Sequence, residues 1–174
     1  MNKHSARTML LALAMLIFAL TAYAESRKQV NNTTVTTLDL QKYMGRWYEI
    51  ARLENSFERG MTDVEAEYSL LPDGKIRIVN SGYRDGKHHE AIGRGKLTSQ
   101  VGRLRVSFFM FFYSDYNILE MATDGSWVLV GGGSPKYLWI LAREKQLPAD
   151  VINHITRLAS ERGYNSKALI FNAE

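Results

Sequence analysis

The sequence predicts an all-β domain: eight short antiparallel strands forming a sandwich or a barrel, followed by one α-helix and a short final strand. Three observations carry this. Apolar and polar residues alternate in short runs from Arg46 to Arg143. Turn-forming Pro72-Asp73-Gly74, Asp85-Gly86 and Asp124-Gly125, whose residues tolerate positive φ, separate several of those runs. After Pro148 the apolar spacing changes from two residues to that of a helix.

At the start of the chain, Lys3 and Arg7 precede an apolar run from Met9 to Leu20 and a small-x-small site at Ala22-Tyr23-Ala24. This is the pattern of a secretory signal over residues 1–24. The run is shorter than the ~20 residues a membrane-spanning helix needs, which leaves a retained signal anchor as the less favoured alternative. Cleavage after Ala24 leaves Glu25 to Glu174, enough chain for one domain with a sizeable core. It also removes two positive charges and no acidic residue from a formal net charge of +4, so the exported chain carries little basic excess and no nucleic-acid partner is expected.

None of the 174 residues is cysteine. This excludes a disulfide framework, a zinc–thiolate site, a thiol nucleophile and acylation of a cysteine after the signal. The expectation is a protein soluble in the periplasm or outside the cell. Residues 25–37, with Asn31-Asn32-Thr33-Thr34, are polar and aperiodic and are expected as a mobile tail, leading through a short turn near Leu38 to Met44 into the domain, 38–174.

Strands are expected at about 46–54, 63–71, 75–82, 88–98, 103–109, 115–122, 126–132 and 136–143. Alternation assigns their faces. In the second strand Val64, Ala66, Tyr68 and Leu70 oppose Glu65, Glu67 and Ser69; in the fourth Ala91, Gly93, Gly95 and Leu97 oppose Glu90, Arg94 and Lys96; in the fifth Leu104, Val106 and Phe108 oppose Arg103, Arg105 and Ser107. Small residues on an inner face leave space, and an eight-stranded barrel is about wide enough for one small ligand. Val151, Ile155 and Leu158 then follow helical spacing up to a stop at Gly163, and Leu169-Ile170-Phe171 reads as the final strand.

Counting hairpins shows which residues meet. If the first strand starts at the closed end, the turns near Pro72, Ser99 and Asp124 return there, as does Arg143. The loops 55–62, 83–88, 110–114 and 131–136 then lie at the open end. Trp47, the Thr123-Asp124 turn and Arg143 therefore converge.

These residues carry a resemblance. Gly45-Arg46-Trp47-Tyr48-Glu49-Ile50-Ala51-Arg52, the Thr123-Asp124 turn, and Tyr137-Leu138-Trp139-Ile140-Leu141-Ala142-Arg143 resemble the three sequence signatures of the lipocalins. With Glu65-Ala66-Glu67-Tyr68-Ser69-Leu70 and Val106-Ser107-Phe108-Phe109, the likeness spans Leu38 to Phe171 and points to the bacterial outer-membrane and envelope members, of the apolipoprotein D type. The resemblance implies an all-β, eight-stranded antiparallel up-and-down β-barrel with a C-terminal helix and a short final strand. It implies that Gly45, Trp47, Thr123, Asp124 and Arg143 form the barrel base, with the Arg143 guanidinium packed across Trp47.

It further implies binding, storage or transport of a fatty acid or lysophospholipid in the cell envelope, without catalysis or cofactor. The cavity-wall residues are expected to be Tyr68, Ile76, Ile78, Val106, Phe108, Ile118 and Trp139. The sequence departs from the family at Met61, where relatives often have cysteine with a partner near Gly82 or Tyr83, and at Gly125, which replaces a tyrosine whose packing role is vacated or passes to Trp127.

Other chemistries are weaker. His88 and His89 sit on opposite faces of a strand without a third ligand, so neither metal nor haem is expected there. Glu65 and Glu67 share an outer face, and Ser107, Ser114 and Ser134 lack a nucleophile-elbow context, which leaves a lipid-modifying enzyme on the same barrel as an alternative. Gly131-Gly132-Gly133-Ser134-Pro135 lacks the lysine and helix of a phosphate cradle and is expected as a mobile mouth loop. Arg94, Lys96, Arg103 and Arg105 read as a solvated face. In Phe108-Phe109-Met110-Phe111-Phe112-Tyr113 strand alternation buries half. Phe111, Phe112 and Tyr113 are left on the open-end loop for membrane contact, a dimer contact or a partner protein.

Overall fold

The computed structural model describes residues 30–172. The expected signal segment lies outside them. The elements are α1 (Leu40–Tyr43), β1 (Gly45–Leu53), β2 (Thr62–Leu70), β3 (Ile76–Arg84), β4 (Lys87–Leu97), β5 (Arg103–Ser107), β6 (Ser114–Met121), β7 (Trp127–Gly132), β8 (Leu138–Ala142), α2 (Ala149–Glu161), a 3₁₀ turn (Ser166–Ala168) and β9 (Leu169–Phe171). From β1 to β8 each strand pairs antiparallel with the next, and β1 closes the barrel by pairing with both β2 and β8. β1 divides its outer edge: Gly45–Tyr48 pairs with β2, and Ala51–Leu53 pairs with β9. A register shift between Glu49 and Ala51 re-aims the strand between these two partners.

Alternation then builds two cores from one wall. On β7 and β8, Val130 and Leu141 point inward, while Leu129, Leu138, Ile140 and Ala142 point outward beneath α2. The helix covers them with fully buried Ile155 and Ala159, flanked by Val151, Ile152 and Leu158. Trp127 packs into this outer core, edge-on to His154, rather than taking over a tyrosine's place at the base. The inner core fills the closed end with Tyr43, Trp47, Ile76, Leu104 and Ile118.

Turn chemistry acts where expected: Asp85 and Gly86 both take positive φ, as a two-residue hairpin loop demands. Met61 packs its methyl end over Gly82, so these two positions are neighbours.

Three expectations are corrected. The tail expected as mobile over 25–37 is held from Val30 onward. Val35 N–H donates to the Ile118 carbonyl (3.0 Å), Thr34 Oγ1 to the Val101 carbonyl (2.6 Å), and Arg162 to the Asn31 and Thr33 carbonyls. Polar residues without periodicity are here satisfied by β6, by the turn at Val101 and by Arg162 instead of by water.

Second, β5 ends at Ser107, not at 109, because Ser107 Oγ turns back toward the Phe109 carbonyl and Met110 adopts positive φ. The aromatic run therefore leaves the sheet, and alternation buries none of it. Third, Gly131 and Gly132 are not a mobile loop. They end β7 as buried residues against Tyr164 and the Tyr137 Cβ, where a side chain would collide.

Candidate functional site

The barrel base is assembled by a short helix and one arginine. Asp39 caps α1 by accepting from the Gln41 and Lys42 amides, which sets Tyr43 fully buried above Trp47. Trp47 is also fully buried and donates Nε1–H to the Tyr43 carbonyl at 2.8 Å. Arg143 lies with its guanidinium carbon 3.7 Å from the Trp47 ring centre and donates to the carbonyls of Arg46 (2.6 Å), Lys42 (2.6 Å), Met44 (2.9 Å) and Tyr43 (3.2 Å).

Gly45, at φ +90°, makes the turn into β1 with its Cα face beside Arg143. The Thr123-Asp124 turn joins this end through backbone: the Arg143 N–H donates to the Ser126 carbonyl at 2.8 Å. Asp124 itself folds back onto Ser126, and that hydrogen bond holds its carboxyl below the usual range.

Above this floor opens a cavity of about 700 Å³. Of the expected wall residues, Tyr68, Ile78, Val106, Phe108 and Trp139 line it. Ile76 and Ile118 do not: both point inward, but at the level where Tyr43, Trp47 and Leu104 already fill the lumen. Phe108 is admitted by Gly93, where a Cβ would stand 2.7 Å from its ring.

At the mouth, Phe111 and Phe112 are 86% and 74% exposed, with Phe112 stacked on Phe109. Tyr113 instead lies under the Lys96 ammonium, 4.2 Å from its ring centre.

The structure adds polar groups to an otherwise apolar wall. Tyr116 Oη sits 2.6 Å from Tyr43 Oη and 3.0 Å from Tyr68 Oη. Burial pushes the Tyr68 phenol up to about 12 and raises those of Tyr43 and Tyr116 well above the ordinary value, so all three remain neutral donors.

Near the mouth, buried Arg52 donates to Glu49 Oε1 at 2.6 Å and to the carbonyls of Glu58 and Met61, both at 3.0 Å, tying the β1–β2 loop to the wall. Glu58 Oε2 accepts from Trp139 Nε1 at 2.9 Å and from Asn55 Nδ2 at 2.5 Å. Glu49 carried a legible signal, since two residues after an inward tryptophan comes another inward position. Glu58, in a loop, carried none.

Burial first, and the nearby Glu58 charge second, push the Glu49 carboxyl up to about 7, against the pull of Arg52. Such a group holds a proton in the folded chain that the unfolded chain releases between about pH 4.5 and 7, so its contribution to stability falls as pH rises through that window. The penalty, on the order of 3 kcal/mol, is fully present above pH 7. Acidifying from pH 8 to 5.5 should therefore raise the wild-type melting temperature by several degrees relative to Glu49→Gln. Calorimetry at both pH values checks this, and equal pH slopes in the two proteins would reject it.

A lipocalin-like family model matches residues 38–174. The chain belongs to the lipocalin family. Among its relatives are the outer membrane lipoprotein Blc of Vibrio cholerae, 37% identical and covering 79% of this chain and 83% of that protein, and Blc of Escherichia coli strain K12, 34% identical and covering 93% and 94%. The solved structure of insecticyanin from the tobacco hornworm Manduca sexta shares the fold, with a TM-score of 0.67 at 22% identity, covering 82% of this lipocalin and 84% of that chain.

That the bacterial relatives are outer membrane lipoproteins overturns the expectation of a protein soluble in the periplasm or outside the cell.

Proposed function

We propose that this lipocalin binds and carries a fatty acid or lysophospholipid at the bacterial outer membrane, as a binding protein without catalysis. The carrying observation is the cavity of about 700 Å³, walled by Ala66, Ile78, Val106, Val130 and Leu141 and open at one end. Burial of an acyl chain there contributes roughly 0.8 kcal/mol per CH₂ before the costs of ordering. The family supports hydrophobic-ligand binding, and the names of the bacterial relatives support the outer membrane as its place.

Mass spectrometry of lipids extracted from the purified protein tests the reading directly. A bound acyl lipid is the expected result, and an empty protein that takes up no offered lipid would overturn it.

The aromatic tip supports entry from a membrane. Phe109, Met110, Phe111 and Phe112 are each more than two-thirds exposed, and Phe109 and Phe112 also border the cavity. Contact of this tip with a bilayer would let a lipid pass from leaflet to cavity without crossing water. Replacing Phe111 and Phe112 together by serine is expected to slow uptake of a fluorescent fatty acid from vesicles severalfold, with the melting temperature nearly unchanged. Stopped-flow transfer measures it, and an unchanged rate would remove the tip from the entry path. Dimerisation through the tip would appear instead as a concentration-dependent mass lost in the double variant.

A further inference from the structure

The cavity wall beside the mouth has an electrostatic character that acyl-chain burial does not use. Glu49 and Glu58 both line the cavity and are only 5% and 8% exposed. Among the described residues each carboxylate has one engaged oxygen: Glu49 Oε1 meets Arg52 and Asn172, and Glu58 Oε2 meets Asn55 and Trp139. The second oxygen of each takes no hydrogen bond.

Arg52 supplies one positive charge to two acids, which leaves a negative charge in the wall when both are ionised. The other acids near the cavity are balanced elsewhere, Asp115 by Arg103 and Arg105, and Glu65 by Arg46. Arg84, His89 and Glu90 also line the cavity, and the Arg84 guanidinium is taken up by the Phe57 carbonyl at 3.0 Å. Asn80 Oδ1, also bordering the cavity, is buried without a donor.

Aromatic faces stand beside these acceptors. Trp139 lies 6.1 Å from Tyr137 and 6.3 Å from Phe57, centre to centre, and Tyr137 lies 5.9 Å from Phe57, all stacked within 29°. Carboxylates with free oxygens beside a Trp–Tyr–Phe wall make up the recognition chemistry of an alkylated or primary ammonium, which takes charge from the acids and quadrupole attraction from the rings. The same wall opposes a free carboxylate, which would bring a further negative charge into a site of low dielectric.

We propose that the Glu49–Glu58–Trp139 wall is a subsite for a positively charged nitrogen, so that the cavity prefers amphiphiles with an ammonium in the head group over free fatty acids. The inference rests on the lipid-carrier reading: the chain occupies the apolar depth between Ile78, Val106 and Val130, and the nitrogen stops at the acids just inside the mouth.

The test compares three probes with one chain: dodecyltrimethylammonium, dodecanoate and dodecanol, each below its micelle-forming concentration. They compete for the full-length protein with an uncharged naphthylamine dye. At pH 8 the trimethylammonium probe should bind at least tenfold more tightly than dodecanoate. Glu58→Gln should lower the ratio of trimethylammonium to dodecanol affinity about tenfold.

The wild-type protein supplies a second readout that needs no variant. Glu49 is faced by Arg52 from its own strand, Glu58 from the β1–β2 loop and Asn172 from the segment after β9. As it loses its proton between pH 6 and 8, trimethylammonium affinity should rise severalfold while dodecanol affinity stays flat. Dodecanoate binding as tightly as the ammonium, or a flat pH profile for the ammonium, would overturn the subsite and leave the carrier intact. Failure of all three probes, dodecanol included, would overturn the carrier reading itself.

Discussion

Arg143→Ala is expected to destabilise the protein by about 3 to 5 kcal/mol and to lower its melting temperature by roughly 10 °C. The guanidinium meets four backbone carbonyls around the turn from α1 into β1, and charge-assisted bonds of this kind contribute roughly 1.5–3 kcal/mol each before non-additivity. Its position 3.7 Å over Trp47 adds roughly 0.5–2 kcal/mol of cation–π attraction.

Removing it leaves carbonyls of the α1 turn without a donor and uncovers the tryptophan. Lys at this position should recover little, because one ammonium cannot fork across carbonyls spread from Lys42 to Arg46. Calorimetry of Arg143→Ala and Arg143→Lys measures both effects. A wild-type melting temperature in Arg143→Ala would show that the base closes without the arginine.

Val106→Trp is expected to abolish lipid binding, by a hundredfold or more in affinity, at a small cost in stability. Val106 is half-buried, projects from β5 into the cavity and packs on its lower side against the inner core. An indole there occupies the volume that an acyl chain needs, and loss of six to eight buried methylenes at roughly 0.8 kcal/mol each exceeds any gain from the added ring. The cavity of about 700 Å³ beside Val106 takes the larger side chain, which keeps overpacking small. Titration with a fluorescent fatty acid, beside a thermal melt, separates the two outcomes. Retained affinity would show that the ligand sits elsewhere than in the barrel.

Much of this protein is legible in its residue order. Alternation from Arg46 to Arg143 placed all eight barrel strands within a few residues, because a wall with an inside and an outside imposes a period of two on every strand that crosses it. Hairpin parity brought Trp47 and Arg143 to one end, since each tight turn reverses direction and only the count matters. The helix after Pro148 and the short strand at Leu169–Phe171 followed from equally local signals.

What local signals could not decide is depth. Ile76 and Ile78 share a face two residues apart, yet one is sealed in the floor and the other lines the cavity, because the level of the floor is set by Tyr43 arriving from a different element. The same limit hid the end of β5. An apolar run reads alike whether it continues a strand or leaves it, and here the Ser107 turn decides that Phe109–Phe112 face outward.

The acid wall shows the remaining gap most plainly. The sequence by itself determined eight strands, the two ends at which they turn and the place of an aromatic tip, all properties of periodicity and turn count, while the barrel and the roles at its base were implied by the resemblance of its motifs to the lipocalins. Only the tertiary structure decided that the β1–β2 loop folds inward, setting Glu58 against Trp139, 81 residues away in the chain, and within reach of the charge on Glu49. Whether a glutamate is a solvated surface group or a buried acceptor depends on which neighbours exclude water from it, and those neighbours come from strands that meet only when the barrel closes.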